Sequence, residues 1–245
     1  MISNLTFYDE SKADNEDERK MLAEWNNLAR LNRDLSVFNP DFQVCGPSKT
    51  LTDGENGLKT LGRNGEVLLQ YKRGTYLFLS HDKPNDLVSL KSIWTEPKLR
   101  GQGRFREVVR ELKKFAVEKS LWMLIAANPF ESKKGIDPLL LDFEDMEYIN
   151  SPQNRDKTAQ MLKEEGFIET SLVRLNIDDI EPLLVRIVRN YSMLVPRMFV
   201  FNNDDFEEEE FDESIYALQL ERIKKDLEEN PDKYSEMGYR KNPIW

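Results

Sequence analysis

Apolar positions along the chain fall into a small set of periods, and each period names an element. Between Asn15 and Asp34, Met21, Leu22, Trp25, Leu28, Ala29 and Leu31 follow helical spacing. Acidic side chains crowd the first turn of that stretch, where a helix dipole favours them. Ser36 to Gly65 has no sustained period and is rich in Gly, Pro, Asn, Asp, Ser and Thr, so it reads as loop with short pieces of structure. Three extended runs follow, Glu66–Lys72, Thr75–His81 and Asp86–Trp94. The breaks at Arg73-Gly74 and Asp82-Lys83-Pro84-Asn85 are turn chemistry, so the three runs predict an antiparallel meander.

Phe105, Val108, Val109, Leu112, Phe115 and Ala116 share one face of a helix, and Arg and Lys fill the other. The uninterrupted apolar run Leu121 to Ala127 predicts a strand buried on both faces. A strand, a helix and a strand joined by a short crossover predict two parallel neighbours with right-handed connection. Glu131 to Ile149 is polar and acidic around Leu139-Leu140-Leu141 and reads as loop. Ser151-Pro152 opens a further helix, with Ser as N-cap and Pro at the first position, and Gly166 closes it. The remaining pattern predicts a strand over Phe167–Leu175, a helix over Asp178–Tyr191, a strand at Met198–Phe201 and a helix over Glu213–Glu228.

Between the strand ending at Trp94 and the helix beginning near Phe105 lies Arg100-Gly101-Gln102-Gly103-Arg104. Two glycines let the backbone come close to a ligand, and free N–H groups at a helix N-terminus form an anion site. Read alone, such a loop is also an ordinary glycine-rich turn. Its neighbours carry the argument further.

The stretch resembles the GNAT superfamily of acetyl-CoA-dependent N-acetyltransferases. That family's loop motif, Gln or Arg, two residues, Gly, one residue, then Gly or Ala, maps onto Arg100, Gly103 and Phe105. The strand ending Ala126-Ala127-Asn128-Pro129-Phe130 is similar to the family's fifth strand. The helix from Asn154 to Glu165, closed by Gly166-Phe167, is similar to its second conserved segment. The match covers about Asp86 to Phe167.

The resemblance implies an α/β (α+β) fold. Its sheet would be mixed and mostly antiparallel, with a central splayed parallel strand pair flanked by helices. Residues 1–202 would form the acyltransferase domain and 203–245 an acidic helical C-terminal extension. It also implies that acetyl-CoA binds as substrate through Arg100, Gly101, Gln102, Gly103, Arg104 and Phe105. Ile93, Trp94 and Asn128 would lie along the acetyl arm and Asn154 would begin the conserved helix. A primary amine, from a small cationic molecule or a protein lysine, would attack the thioester directly.

Catalytic candidates are His81, Glu96 and Ser89. His81 is the only histidine in the chain and has the pKa range of a general base. Glu96 follows the fourth strand, near the implied acetyl site. Ser89 falls where some members carry a glutamate base. Two departures define an alternative, a catalytically degenerate GNAT-like fold, of the kind some viral chains resemble, acting through protein contacts or as a structural protein. Ser89 is no base, and Leu162 stands where the family's tyrosine acid is frequent.

Composition narrows the partners. Of 245 residues, 39% are hydrophobic and 33% charged, and no apolar run is long enough to span a bilayer. The single cysteine, Cys45, precludes an internal disulfide, and the first ten residues lack a signal-peptide pattern, so the expectation is a cytoplasmic protein. A net charge of −10 disfavours nucleic acid as a partner. Residues 203–245 carry 14 acidic and 6 basic side chains, against 31 and 29 in the rest. That tail reads as a solvated segment or as a contact for a basic protein. No His/Cys/Asp/Glu set has metal-ligand spacing, so no metal is expected.

Overall fold

The computed structural model describes residues 7–46, 68–128, 130–132, 148–171, 184–185, 188, 194–202 and 207–232. Of the expected loops, Ser36–Gly65 and Glu131–Ile149, residues 47–65 and 133–147 lie outside the described residues, as do most of the helix expected at 178–191 and the residues after 232, while the loops' remaining ends contain short strands. Two compact units divide between Met123 and Leu124. Residues 207–232, the described part of the acidic tail, belong to the second unit together with the preceding strands.

In the first unit, helix α1 (Glu16–Phe38) runs four residues past the expected end. Asn15 caps it by accepting the Glu18 N–H at 2.9 Å. Its buried apolar face is Leu22, Trp25, Leu28, Ala29, Leu31 and Leu35, the stripe read from the sequence with one more turn but without Met21, which is only half-buried. Asn26 on the same helix clasps the backbone of Tyr8 from both sides, accepting from its N–H and donating to its carbonyl at 2.9 Å each.

Strands β1 (Phe42–Gly46), β2 (Leu68–Tyr71), β3 (Thr75–Asp82) and β4 (Leu87–Thr95) pair in that order, each antiparallel to the next. The meander of the last three is as expected. Strand β1 lies inside the stretch read as loop; it pairs Phe42 with Tyr71, and their rings sit 4.9 Å apart. Thr75 to Leu79 of β3 are all buried, and α1 packs against β1 and β3. Lys72 and Gly74, at φ 48° and 85°, turn the chain between β2 and β3.

Helix α2 (Arg104–Lys119) buries Val108, Val109, Leu112, Phe115 and Ala116. Phe105, the sixth residue of the expected face, is only half-buried at the first turn. Ser120 takes the left-handed conformation that ends α2, and the Leu121 N–H bonds back to Ala116 O at 2.8 Å. Strand β5 (Trp122–Ala127) then starts beside β4, its Trp122 N–H donating to Asp86 O at 3.0 Å.

The second unit continues β5 and contains the antiparallel pair β6 (Phe130–Ser132) and β7 (Tyr148–Asn150). Helix α3 (Pro152–Glu164) follows, then β8 (Ile168–Thr170), β9 (Arg197–Phe201) and helix α4 (Ser214–Glu229). Ser151 caps α3 through its Oγ. The end of α3 is a complete Schellman motif: Gly166, φ 82°, donates to Lys163 O, and Phe167 donates to Leu162 O. The strand order here is β5-β9-β8. The fold is thus mixed α/β, with nine mostly antiparallel strands and four α-helices in the described residues. None of these helices is long and apolar enough to cross a membrane.

One buried carboxylate organises the second unit. Glu169 on β8 is 1% exposed. Arg197 of β9 grips it with Nε to Oε1 at 2.6 Å and Nη2 to Oε2 at 2.8 Å, and Lys163 reaches Oε2 at 2.8 Å. Burial pushes this carboxyl up, but the bonds from Arg197 and Lys163 outweigh it and hold its pKa below the ordinary value. The paired state therefore stabilises the fold fully above the unfolded-state pKa of about 4.3, and the contribution is lost as pH falls through the folded value. Glu169→Gln is expected to lower stability by about 3–5 kcal/mol at pH 7. It should also flatten the loss of stability below pH about 4.5 in urea titrations; an unchanged acid limb would show that Glu169 does not carry it.

Candidate functional site

The glycine loop of the first unit is built on the end of β4. Four contacts fix it from below. The Glu96 N–H donates to Gly74 O at 2.8 Å, tying the loop to the β2–β3 turn, and Leu99 N–H closes a short turn on Glu96 O. Arg100 Nε donates to Thr95 O at 2.9 Å, and Gln102 Nε2 to Lys98 O at 3.3 Å. Gly74 is needed twice over: its φ is 85°, and a Cβ there would lie 2.6 Å from Leu99 Cδ1 and 2.9 Å from Glu96 Cδ.

Gly101 and Gly103 both have φ 75°, so glycine is favoured by conformation. A Cβ at either would meet nothing within 4 Å, so their outer side opens away from the chain. Gly103 is the N-cap of α2, and no side chain caps that end. The first-turn N–H groups of a helix have no intrahelical acceptor and carry the positive end of its dipole. An anion is the chemical complement of that arrangement.

Arg104 sits half-buried at the helix start. Its Nη1 pairs with Glu107 Oε2 at 3.1 Å, while its Nε is buried without a hydrogen-bond partner. Glu107 also receives Lys72 Nζ at 3.3 Å, and Lys72 lies 3.8 Å from Asp41. Desolvation pushes the Lys72 ammonium down, yet its bonds to Glu107 and Tyr71 leave it raised overall. This chain of charges locks the first turn of α2 to the β2–β3 turn.

Strand β4 carries an irregularity just before the loop. Phe78 faces Ser92 while Leu79 faces Leu90, which makes Lys91 the extra residue of a bulge. A bulge breaks the ladder locally, and the register resumes with Ile93 opposite Leu77 and Trp94 opposite Tyr76.

The three catalytic candidates do not form one cluster. Ser89 is 5% exposed and faces Ser80, and His81 faces Val88, both near the start of β4. Glu96 follows the other end, roughly 20 Å away along the strand. Glu96 is ion-paired to Lys98 at 2.9 Å and packs over Gly74. Both His81 ring nitrogens are buried without a well-formed hydrogen bond, although the Asn27 carbonyl of α1 approaches. Burial holds the His81 pKa below 6.5, against the pull of Asp86. Leu162 is fully buried in α3. Asn128 is half-buried in the second unit; Asn154, also there, gives its backbone N–H to the Ser151 cap. Among the described residues no group of three or more His, Cys, Asp or Glu could hold a metal ion.

Lys72, Gly74 and Glu107 were not among the residues expected at the loop. The Arg73-Gly74 turn was visible in the sequence, but the pairing of positions 35 apart was not. No protein-family model, curated protein or solved structure matches the chain.

Gly74→Ala is expected to cost about 2 kcal/mol from left-handed strain and the clash with Leu99. The measurement is a lower urea midpoint at unchanged m-value. For His81, a lowered pKa means that the unfolded chain binds the proton better. Stability is complete above the unfolded pKa of about 6.5 and declines as pH drops below it. His81→Gln should remove that decline between pH about 7.5 and 5.5; a parallel pH curve for the variant would contradict a buried neutral imidazole.

Proposed function

We propose that the chain is an acetyl-CoA-dependent N-acetyltransferase of GNAT type, with the Arg100–Phe105 loop as its pyrophosphate cradle. The observation that carries the reading is the uncapped α2 N-terminus, preceded by two left-handed glycines whose outer side is open. Backbone N–H groups of the loop would hold the phosphates, with Arg100 and Arg104 supplying charge-assisted bonds. The reading requires β4 and β5 to run parallel where they start. The Trp122–Asp86 contact, at the start of both strands, supports the parallel direction. The bulge at Lys91 supports β4 as the strand along the acetyl arm, because it frees local geometry from the ladder.

In the reaction a neutral primary amine attacks the thioester carbonyl, a C–N bond forms, and the C–S bond breaks. The amine proton leaves to solvent or a water chain as the coenzyme A thiolate departs. A backbone N–H near Ile93 would stabilise the oxyanion. His81 has its ring nitrogens buried and Ser89 is buried, so neither suits direct proton transfer, and Glu96 is committed to Lys98. The buried Leu162 and Ser89 favour a second reading, a cradle that binds coenzyme A without turnover and acts through protein contacts.

Isothermal titration with acetyl-CoA and free coenzyme A tests the first step, and thiol release with a panel of amines tests the second. Arg104→Ala is expected to weaken coenzyme A binding by about ten- to a hundred-fold, from loss of about 1.5–3 kcal/mol of charge-assisted bonding. Its stability should change by less than about 1 kcal/mol, since the Glu107 pair is partly exposed. Gly103→Val should abolish binding. Absence of binding by the unmodified chain would end both readings, while binding without thiol release would select the second.

A further inference from the structure

The acidic segment before α4 lies on a cationic cleft of the second unit. Its contacts run residue by residue. The Glu209 N–H donates to Glu169 O of β8 at 3.1 Å, and the Ser171 N–H donates to Glu209 Oε2 at 3.1 Å. Glu208 Oε1 receives Lys163 Nζ at 2.8 Å. Glu213 Oε1 receives Arg155 Nη1 and the Val195 N–H, each at 3.3 Å. Between them Phe211 presents its ring to two guanidinium groups, Arg155 at 5.2 Å and Arg197 at 5.5 Å.

Each cation is also held from beneath, independently of the acidic segment. Arg197 is gripped by Glu169 and reaches Asp156, and Lys163 bonds Glu169. Arg155 donates to Val195 O at 3.0 Å and lies 3.5 Å from Asp156. The hydrogen bonds to the Glu169 carboxylate come first in keeping both Lys163 and Arg197 charged. The cleft is therefore organised before anything lies on it. The pairs that hold the segment differ in exposure: Lys163 and Glu208 leave 39% and 61% of their side chains in solvent, while Arg155 and Glu213 leave 9% and 36%. Exposed pairs of the first kind hold weakly and yield to salt. Among the described residues strand β8 ends the order β5-β9-β8, so its outer edge is where an extended segment can add backbone bonds.

We propose that the cleft of Arg155, Lys163, Arg197 and the β8 edge is a recognition site for acidic segments carrying an aromatic residue. Residues 207–213 of the same chain occupy it in cis. A preorganised cluster of three cations, an aromatic slot between two guanidiniums and the β8 edge select that chemistry. Backbone donors and acceptors on β8 set the register, and Phe211 marks the slot. A partner bearing such a segment displaces residues 207–213 and takes over the same bonds. This reading is independent of coenzyme A binding.

The test uses a fluorescent peptide with the sequence of residues 207–213 and the full chain. Tethering gives the cis segment a millimolar-scale effective concentration, so the unmodified chain should bind the peptide weakly. Phe211→Ala loosens the cis segment and should raise peptide affinity at least about tenfold. Added salt should weaken that binding, as should replacing the peptide's phenylalanine with alanine or adding Lys163→Ala to the chain. A cooperative thermal melt confirms that Phe211→Ala is folded; should it not be, Glu208→Gln serves in its place. Failure of the folded, loosened variant to bind the peptide would overturn the proposal. So would binding indifferent to Lys163→Ala.

Discussion

Burial of β3 on both faces sets the arrangement of the first unit. Five consecutive residues, Thr75 to Leu79, are withdrawn from water, including both parities of the pleat. A strand in that position needs partners along both edges and cover on its faces. Strands β2 and β4 take the edges, and α1 lies against it with its Trp25, Leu28 and Leu35 stripe. The turn leaving β2 is then obliged to sit where Gly74 can accept from Glu96, which places the glycine loop.

The loop inherits its geometry from that chain of constraints. Lys72, Glu107 and Arg104 join the β2–β3 turn to the first turn of α2, so the anion-binding end of the helix is positioned by residues remote in sequence. Glu107 neutralises part of the positive charge there. An incoming polyanion would compete with it for Arg104, which makes the site sensitive to ionic strength. In the second unit the charge logic is inverted: a buried carboxylate, Glu169, assembles the cations around it.

Much of the fold was legible because it rests on local periodicity. Six of the nine described strands and all four helices lie on stretches that read as such, with ends displaced by up to four residues, and the caps at Asn15, Ser151 and Gly166 are where side-chain and φ preferences put them. Strand β1 was missed because Phe42–Gly46 is short and set among turn-forming residues; it exists because β2 offers an edge. Phe105 follows the helical period yet is only half-buried, since at the first turn of α2 the period has little packing beneath it. The bulge at Lys91 leaves no mark in the sequence, because it concerns which residue faces which across two strands.

The candidate site divides in the same way. Gly101 and Gly103 announced a loop whose backbone can come close to a ligand, and the structure adds that both are left-handed, a conformation glycine adopts freely. The acidic run 207–213 announced charge and nothing of its location. Tertiary structure alone decided that this run lies along β8 over Arg155, Lys163 and Arg197, that the ring nitrogens of His81 are buried, and that Glu96 stands far from Ser89. Local conformation is set by a residue and its near neighbours, and the amino-acid sequence determines it directly. Which charges meet is set by long-range packing, where the desolvation of groups such as Glu169 is balanced only once distant cations arrive.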